Sequence, residues 1–323
     1  MHRISLAAIF AAALVFCATP SFATTVFVSN EKDNTITVLN GDTLEVIKTI
    51  KVARRPRGIV VSPDGKELFV AAGDGDIIDV IDTKTLEVSR QLESGPDPEL
   101  MAIDPKGDVI YIANEDDSLV TIMDIKSGEV LAEVPVGVEP EGMTVSADGK
   151  LTVATSESTS MAHVIDNTTN KLIANVLVDS RPREAKFTAD GSQLWVSSEV
   201  GGSISVVDPK TWKVIKKIRF EVPGVRPELL QPVGMEFSKD GKLVFVALGP
   251  ANRVAVVDAK TFEVVNYILV GQRPWHLEFS PDGSKLYVAN GLTNDMTIID
   301  TASQKAIKSV PVGRLPWGVA VMP

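Results

Sequence analysis

Short runs of alternating apolar and polar residues, separated by turn-forming residues, fill most of this chain. After Pro274, His-Leu-Glu-Phe-Ser alternates with the period of two that marks a strand. Ser280-Pro281-Asp282-Gly283 reads as a turn, because proline presets φ, aspartate bonds the local backbone and glycine accepts a positive φ. Lys-Leu-Tyr-Val-Ala-Asn, then Met296 to Asp300, then Ala306 to Val312 complete a set of four short strands closed by Gly313. No window of 12 residues shows a 3.6-residue period, which excludes helical-bundle and βαβ readings.

The same unit recurs along the sequence. Pro274 has counterparts at Pro56, Pro98, Pro140, Pro182, Pro232 and Pro316, spaced 42 residues apart except for one step of 50. The residue closing each third strand follows the same period: Asn40, Asp82, Asp124, Asp166, Asp208, Asp258 and Asp300. The eight extra residues therefore fall between Asp208 and Pro232. Four antiparallel strands in about 40 residues make one blade of a β-propeller. The N-terminal segment supplies only three strands (Thr25–Val28, Ile36–Leu39 and Val46–Val52), and these align with second, third and fourth strands. The C-terminal Trp317–Val321 aligns with first strands only. Joining the two ends predicts an all-β chain forming one seven-bladed propeller over residues 24–323, with no open sheet edge.

Residues 1–23 read as a cleavable secretory signal: His2 and Arg3, an apolar stretch from Ile4 to Phe16, and Ser21-Phe22-Ala23 before the cut. The apolar stretch is shorter than the roughly 20 residues a bilayer requires. The expected location is the periplasm, without membrane insertion. Cys17 is the one cysteine and leaves with the signal, so no disulfide is expected. Loss of Arg3 takes the formal charge from −10 to −11, which argues against nucleic acid as a partner.

The Ser-Pro-Asp-Gly-type turns between first and second strands are nearly uniform, as scaffold turns are. The opposite face carries the loops that differ and the entries to the first strands, so it is the candidate functional face. The residue after each repeated proline is Arg57, Glu99, Glu141, Arg183, Val233, Trp275 or Trp317, and these positions are expected to ring the channel mouth. One residue further stand Gly58, Leu100, Gly142, Glu184, Gly234, His276 and Gly318, where Glu184 and His276 break a run of glycines. Arg273 and Arg314 flank the ring, and the insertion Phe220–Leu230 is expected to hang over it. Two readings stand: a polarised binding funnel, or a plug of mutually paired side chains. His163 occupies a strand position that is polar in most other units and reads as structural. The carboxylates of Asn114–Ser118 lack the alternating spacing of a dedicated Ca²⁺ loop. No haem, phosphate-loop, nucleophile-elbow or paired-histidine motif occurs, so no cofactor and no metal are expected.

The asparagine-terminated strands Leu286–Asn290 and Ile110–Asn114, each followed by a strand ending in aspartate, resemble the YVTN type of propeller repeat across residues 24–323. More narrowly, Arg55-Pro-Arg-Gly58, Arg273–Phe279 and Pro316-Trp-Gly318 resemble the periplasmic propeller proteins that accompany quinoprotein (PQQ-dependent) alcohol catabolism. That resemblance implies association with an oxidation pathway and brings no catalytic motif. The eight-bladed quinoprotein dehydrogenases differ, since their tryptophan docking pattern and vicinal disulfide are absent here. The expectation is a monomeric, non-catalytic binding or scaffold protein that meets a protein or small ligand of such a pathway. The alternative is a lactonase-like hydrolase in the funnel, for which His276 and Glu184 are the candidate catalytic pair.

Overall fold

In the computed structural model, which describes residues 24–323, seven four-stranded antiparallel sheets carry the chain. Six of them hold four strands consecutive in sequence, with innermost strands starting at Pro56, Pro98, Pro140, Pro182, Pro232 and Pro274. We number these blades 1 to 6. Blade 7 joins the last strand, Pro316–Met322, to Thr25–Asn30, Thr35–Asn40 and Val46–Lys51. Met322 stands opposite Thr25, Val321 opposite Val26, and Ala320 opposite Phe27. The proposed signal lies outside the described residues. Among the described residues, no helix is long and apolar enough to cross a membrane.

Second and third strands are buried on both faces, because each sheet is covered by its two neighbours. Leu68, Phe69, Val70, Ala71 and Ala72 are all fully buried in succession. The apolar cores therefore lie between blades: Trp195 of blade 4, for example, packs with Met235, Val244 and Val246 of blade 5. Each such side chain contributes roughly 1.5–3 kcal/mol. Outer strands are far more open, with Val46 and Ile47 about half exposed.

The asparagines that end second strands have a structural duty. The side-chain amides of Asn30, Asn114 and Asn290 donate to the hydroxyls of Thr37, Thr121 and Thr297 on the neighbouring strand, at 2.9, 2.6 and 2.8 Å. His163 replaces that threonine in blade 3. Its Nδ1 lies 2.6 Å from the Asn175 side-chain oxygen, and its Nε2 accepts the Gly137 N–H at 3.0 Å. Burial lowers its pKa. It is a structural histidine, as its strand position suggested.

The insertion between blades 4 and 5 is anchored at both of its ends. Phe220, Val222 and Leu230 are buried in the core between those blades. The Glu221 N–H donates to the hydroxyl of Tyr267 on the outer strand of blade 5. The apolar ends of the segment draw it into the inter-blade seam, while Pro223, Gly224 and Arg226 to Glu228 between them stay exposed.

Candidate functional site at the channel mouth

Every innermost strand carries the same irregularity. In blade 6, Pro274 faces Asn290 but Leu277 faces Val288, so one extra residue sits on the inner strand. The slip recurs after Pro56, Pro98, Pro140, Pro182 and Pro232. Such a bulge bends the strand and re-aims side chains. Here it turns the residues after each proline toward one another. The residues before the prolines are held in the left-handed region at Arg55, Asp97, Glu139, Arg181, Arg273 and Leu315.

The expected ring forms, and it is knitted by ion pairs. Arg57 Nη1 donates to Glu99 at 2.9 Å, and its Nε lies 3.3 Å from Glu31. Arg55 bonds the same Glu99 and reaches Asp97 at 2.9 Å and Glu115 at 3.8 Å. Across the mouth, Arg183 lies 3.3 Å from Glu141 and 3.4 Å from Glu199, and it contacts Glu157. Arg181 bonds Glu157 at 2.7 Å, and Arg273 reaches Glu199 at 2.5 Å. That last pair spans blades 6 and 4, and it passes over Gly249, where a Cβ would collide with the Arg273 guanidinium. Trp275 lies under the guanidinium of Arg273 at 4.0 Å and near that of Arg183 at 5.3 Å. Trp317 is 6.2 Å from Trp275 and 4.1 Å from His276, ring centre to ring centre. Arg314 stays apart, exposed and paired with Asp33 at 2.5 Å.

Asp33 and Asp97 were not anticipated as partners, and neither were four glutamates: Glu31, Glu115, Glu157 and Glu199. Each of the four glutamates follows directly on a second strand, after Asn30, Asn114, Ser156 and Ser198. They share one repeat position, which is the signal that could have revealed them. Glu184 and His276 also gain a packing explanation. Glycine occupies that position on blades 1, 3, 5 and 7, and a side chain on blades 2, 4 and 6. A Cβ on Gly234 would sit 2.5 Å from the Trp275 carbonyl oxygen, and one on Gly318 2.6 Å from that of Arg57. The alternation lets neighbouring inner strands approach closely around an odd-numbered ring.

Acids outnumber bases on the side formed by blades 2 and 3. Glu99 and Glu141 are completely buried. Neither oxygen of Glu141 has a hydrogen-bond partner, and Glu99 Oε2 has none either. The Arg57 and Arg55 guanidinium groups outweigh burial at Glu99 and hold its pKa down. Burial and the charge of Glu99 push Asp97 up to about 6. Burial, Glu99 and Glu141 push Glu115 up to about 8. Glu141 rises to about 7 through burial, against the pull of Arg183. Beside this cluster opens a depression of about 430 Å³ lined by Glu115, Glu139, Glu157, Arg181 and three serines, among others. Of the carboxylates near Asn114–Ser118, Glu115 converges with Asp97 and Glu99 into a group whose ligand atoms lie within 4.8 Å of one another.

The sequence matches a family described as "YNCE-like beta-propeller" over residues 4–120 and 237–323. No curated protein matches it. Among solved structures, the fold is similar to hydrazine synthase of Kuenenia stuttgartiensis, at 22% identity and a TM-score of 0.76, covering 86% of this chain and 92% of that one. A functionally unknown protein from Desulfotomaculum acetoxidans DSM 771 aligns at 16% identity and a TM-score of 0.79, over 92% of this chain and 98% of its own. The dihydro-heme d1 dehydrogenase NirN, solved in complex with DHE, aligns at 16% identity and a TM-score of 0.68, over 92% of this chain and 74% of its own. At these identities the likeness is one of fold.

Proposed function

The chain belongs to the YNCE-like β-propeller family, and from that premise we propose that it is a binding protein, not a catalyst, whose mouth depression takes a cationic group. The observation that carries this reading is the surplus of carboxylates there. Glu115, Glu139 and Glu157 line the depression with Arg181 as its one lining arginine. Arg183 behind it is shared among three carboxylates, Arg55 reaches Glu115 only at 3.8 Å, and the adjoining Glu141 carries no hydrogen bond on either oxygen. Glu141 is buried with only an ion contact to Arg183, a guanidinium it shares with Glu157 and Glu199, so its charge is under-compensated and favours a proton or a further cation. The arginines are less available for an anion, because Arg55, Arg57, Arg183 and Arg273 are each already paired with carboxylates. The ligand is then a basic segment of a protein or a small organic cation. The resemblance of Arg55–Gly58, Arg273–Phe279 and Pro316–Gly318 to propellers of quinoprotein alcohol oxidation supports a periplasmic setting beside such a pathway.

The hydrolase alternative finds less support. Burial, together with the nearby charges of Arg183, Lys186 and Arg57, lowers His276 to about 3. A base that weak takes few protons near neutrality. Glu184 spends one carboxylate oxygen on the Met235 N–H.

Fluorescence anisotropy with labelled tetralysine and tetraglutamate peptides tests the reading. Tetralysine is expected to bind, to weaken as salt is raised, and to lose at least tenfold in affinity in the Glu115→Gln/Glu139→Gln double variant. Equal binding of tetraglutamate, or an unchanged double variant, would overturn it.

A further inference from the structure

Below the tryptophans, the channel differs along its two sides. Four residues past each repeated proline stand Val60, Ala102 and Thr144 on blades 1 to 3 and Ala320 on blade 7. On blades 4 to 6 the same position holds Lys186, Glu236 and Glu278. Between the two arcs lies a cavity of about 260 Å³, with Leu100, Ala102 and Met143 on one side and Glu184, Lys186, His276 and Glu278 on the other. Trp317 also lines it.

The charges on the polar arc do not balance. Lys186 lies 3.7 Å from Glu184 and contacts Glu236, so its single positive charge is shared between two carboxylates. Glu278 has no ion pair among the described residues, and its one hydrogen bond comes from the Phe279 N–H at 3.1 Å. Burial raises the pKa of Glu278 and of Glu184. His276 is more than nine-tenths buried, and its Nε2 has no partner. Burial keeps the ring neutral, so one tautomer presents Nε2 as an acceptor.

We propose that this cavity is a second binding site, distinct from the mouth depression, for a small organic ammonium ion. The apolar body lies against Leu100, Ala102 and Met143, and the ammonium meets Glu278 and His276 Nε2. An ammonium there adds a full positive charge beside a half-buried carboxylate that is otherwise reached only by the shared charge of Lys186, in surroundings less polar than bulk water. The volume falls below the roughly 300–1,000 Å³ typical of sites for drug-sized ligands, which confines the ligand to a short alkyl chain or one ring.

Calorimetric titration of the full protein with phenethylammonium and with its neutral counterpart 2-phenylethanol decides the matter. The ammonium is expected to bind at least tenfold more tightly than the alcohol. Glu278→Gln is expected to abolish that preference, while Glu115→Gln/Glu139→Gln leaves it intact, which separates this site from the mouth. If Glu278→Gln fails to fold, Ala102→Phe serves instead: it fills the apolar side and is expected to block binding. Absence of ammonium binding, equal affinity for the alcohol, or wild-type behaviour in Glu278→Gln or Ala102→Phe would each overturn the proposal.

Discussion

The two ends of the channel treat the same chemical group in opposite ways. On the turn face, Asp64, Asp148, Asp190, Asp240 and Asp282 are all held down to about 2. The cause is local in each: hydrogen bonds from a serine or threonine two residues earlier, or from the side chain or N–H two residues later. Ser280 donates to Asp282 at 2.6 Å, and the Ser284 N–H donates at 3.0 Å. On the mouth face, Asp97, Glu141 and Glu115 are pushed up to about 6, 7 and 8. Their neighbours come from several blades, and burial dominates each shift. A turn carboxylate is satisfied by its own four residues, whereas a mouth carboxylate depends on what the rest of the ring, or a ligand, brings to it. The repeat copies the first arrangement in five of its turns, but the second is set blade by blade.

The largest effect that tests this contrast is at Glu99, the fully buried acid shared by Arg55 and Arg57. Glu99→Ala leaves two guanidinium groups without their common partner. Breaking a buried pair from one side costs about 3–5 kcal/mol, so thermal melting is expected to fall by roughly 6–15 °C. Asp97, Asp74 and Glu31 remain near the two arginines and keep the loss toward the lower figure. Adding Arg55→Ala to Glu99→Ala is expected to recover part of the loss. A Glu99→Ala protein that melts like the parent would show that the mouth network carries no stability.

The contrast also marks how far the sequence could be read. The 42-residue period places strands, turns and the closing pair, because hydrophobic alternation and turn chemistry are local and recur at fixed offsets. The first ring of mouth residues, from Arg57 to Trp317, follows from the same alignment. Glu31, Glu115, Glu157 and Glu199 were within its reach as well, since they share one offset after the second strands, but that offset lies where the loops begin to differ. The polar arc of Lys186, Glu236 and Glu278 was likewise open to inspection two residues beyond the position compared. The pairing itself was not. That Arg273 crosses to Glu199, and that Arg55 and Arg57 share one acid, depends on side-chain reach across the opening and on the space left at Gly249. The course of the Phe220–Leu230 insertion was hidden for a related reason: its apolar residues find their burial in a seam between blades that only the assembled ring creates.

A middle-sized effect lies in the pH dependence of stability. In the unfolded chain, Asp and Glu release their protons near pH 4. In the folded mouth, Asp97, Glu141 and Glu115 keep theirs to about 6, 7 and 8. The folded state thus binds more protons between those values, and stability falls as pH rises through them. The melting temperature is expected to drop by several degrees from pH 5 to 8.5, and Glu115→Gln is expected to flatten the upper part of that slope. Carboxylates with lowered pKa values, Glu99 and the turn aspartates, are already ionised across this window and contribute no slope there. A flat wild-type profile would mean that the mouth carboxylates are ionised at little cost.

The smallest expected effect is on the turn face, and its smallness is informative. Asp282→Ala removes the acceptor for the Ser280 hydroxyl and for the Ser284 N–H and hydroxyl. The Ser284 groups lie where water can replace the lost bonds, the buried Ser280 hydroxyl still reaches the Lys285 carbonyl at 3.3 Å, and Gly283 still supplies the positive φ of 76° that the turn requires. The net contribution of such bonds is modest, so melting is expected to fall by only about 1–3 °C. The slope from pH 5 to 8.5 is expected to match the parent, because Asp282 has lost its proton well below that range. Tetralysine affinity is expected to be unchanged as well, since the turn lies at the far end of the channel. Melting curves of Asp282→Ala and Glu115→Gln, recorded side by side across that pH range, make the comparison direct. If the turn variant altered the slope or the peptide affinity, the two faces would be energetically coupled through the blade, and the mouth could not be treated as a site set independently of its scaffold.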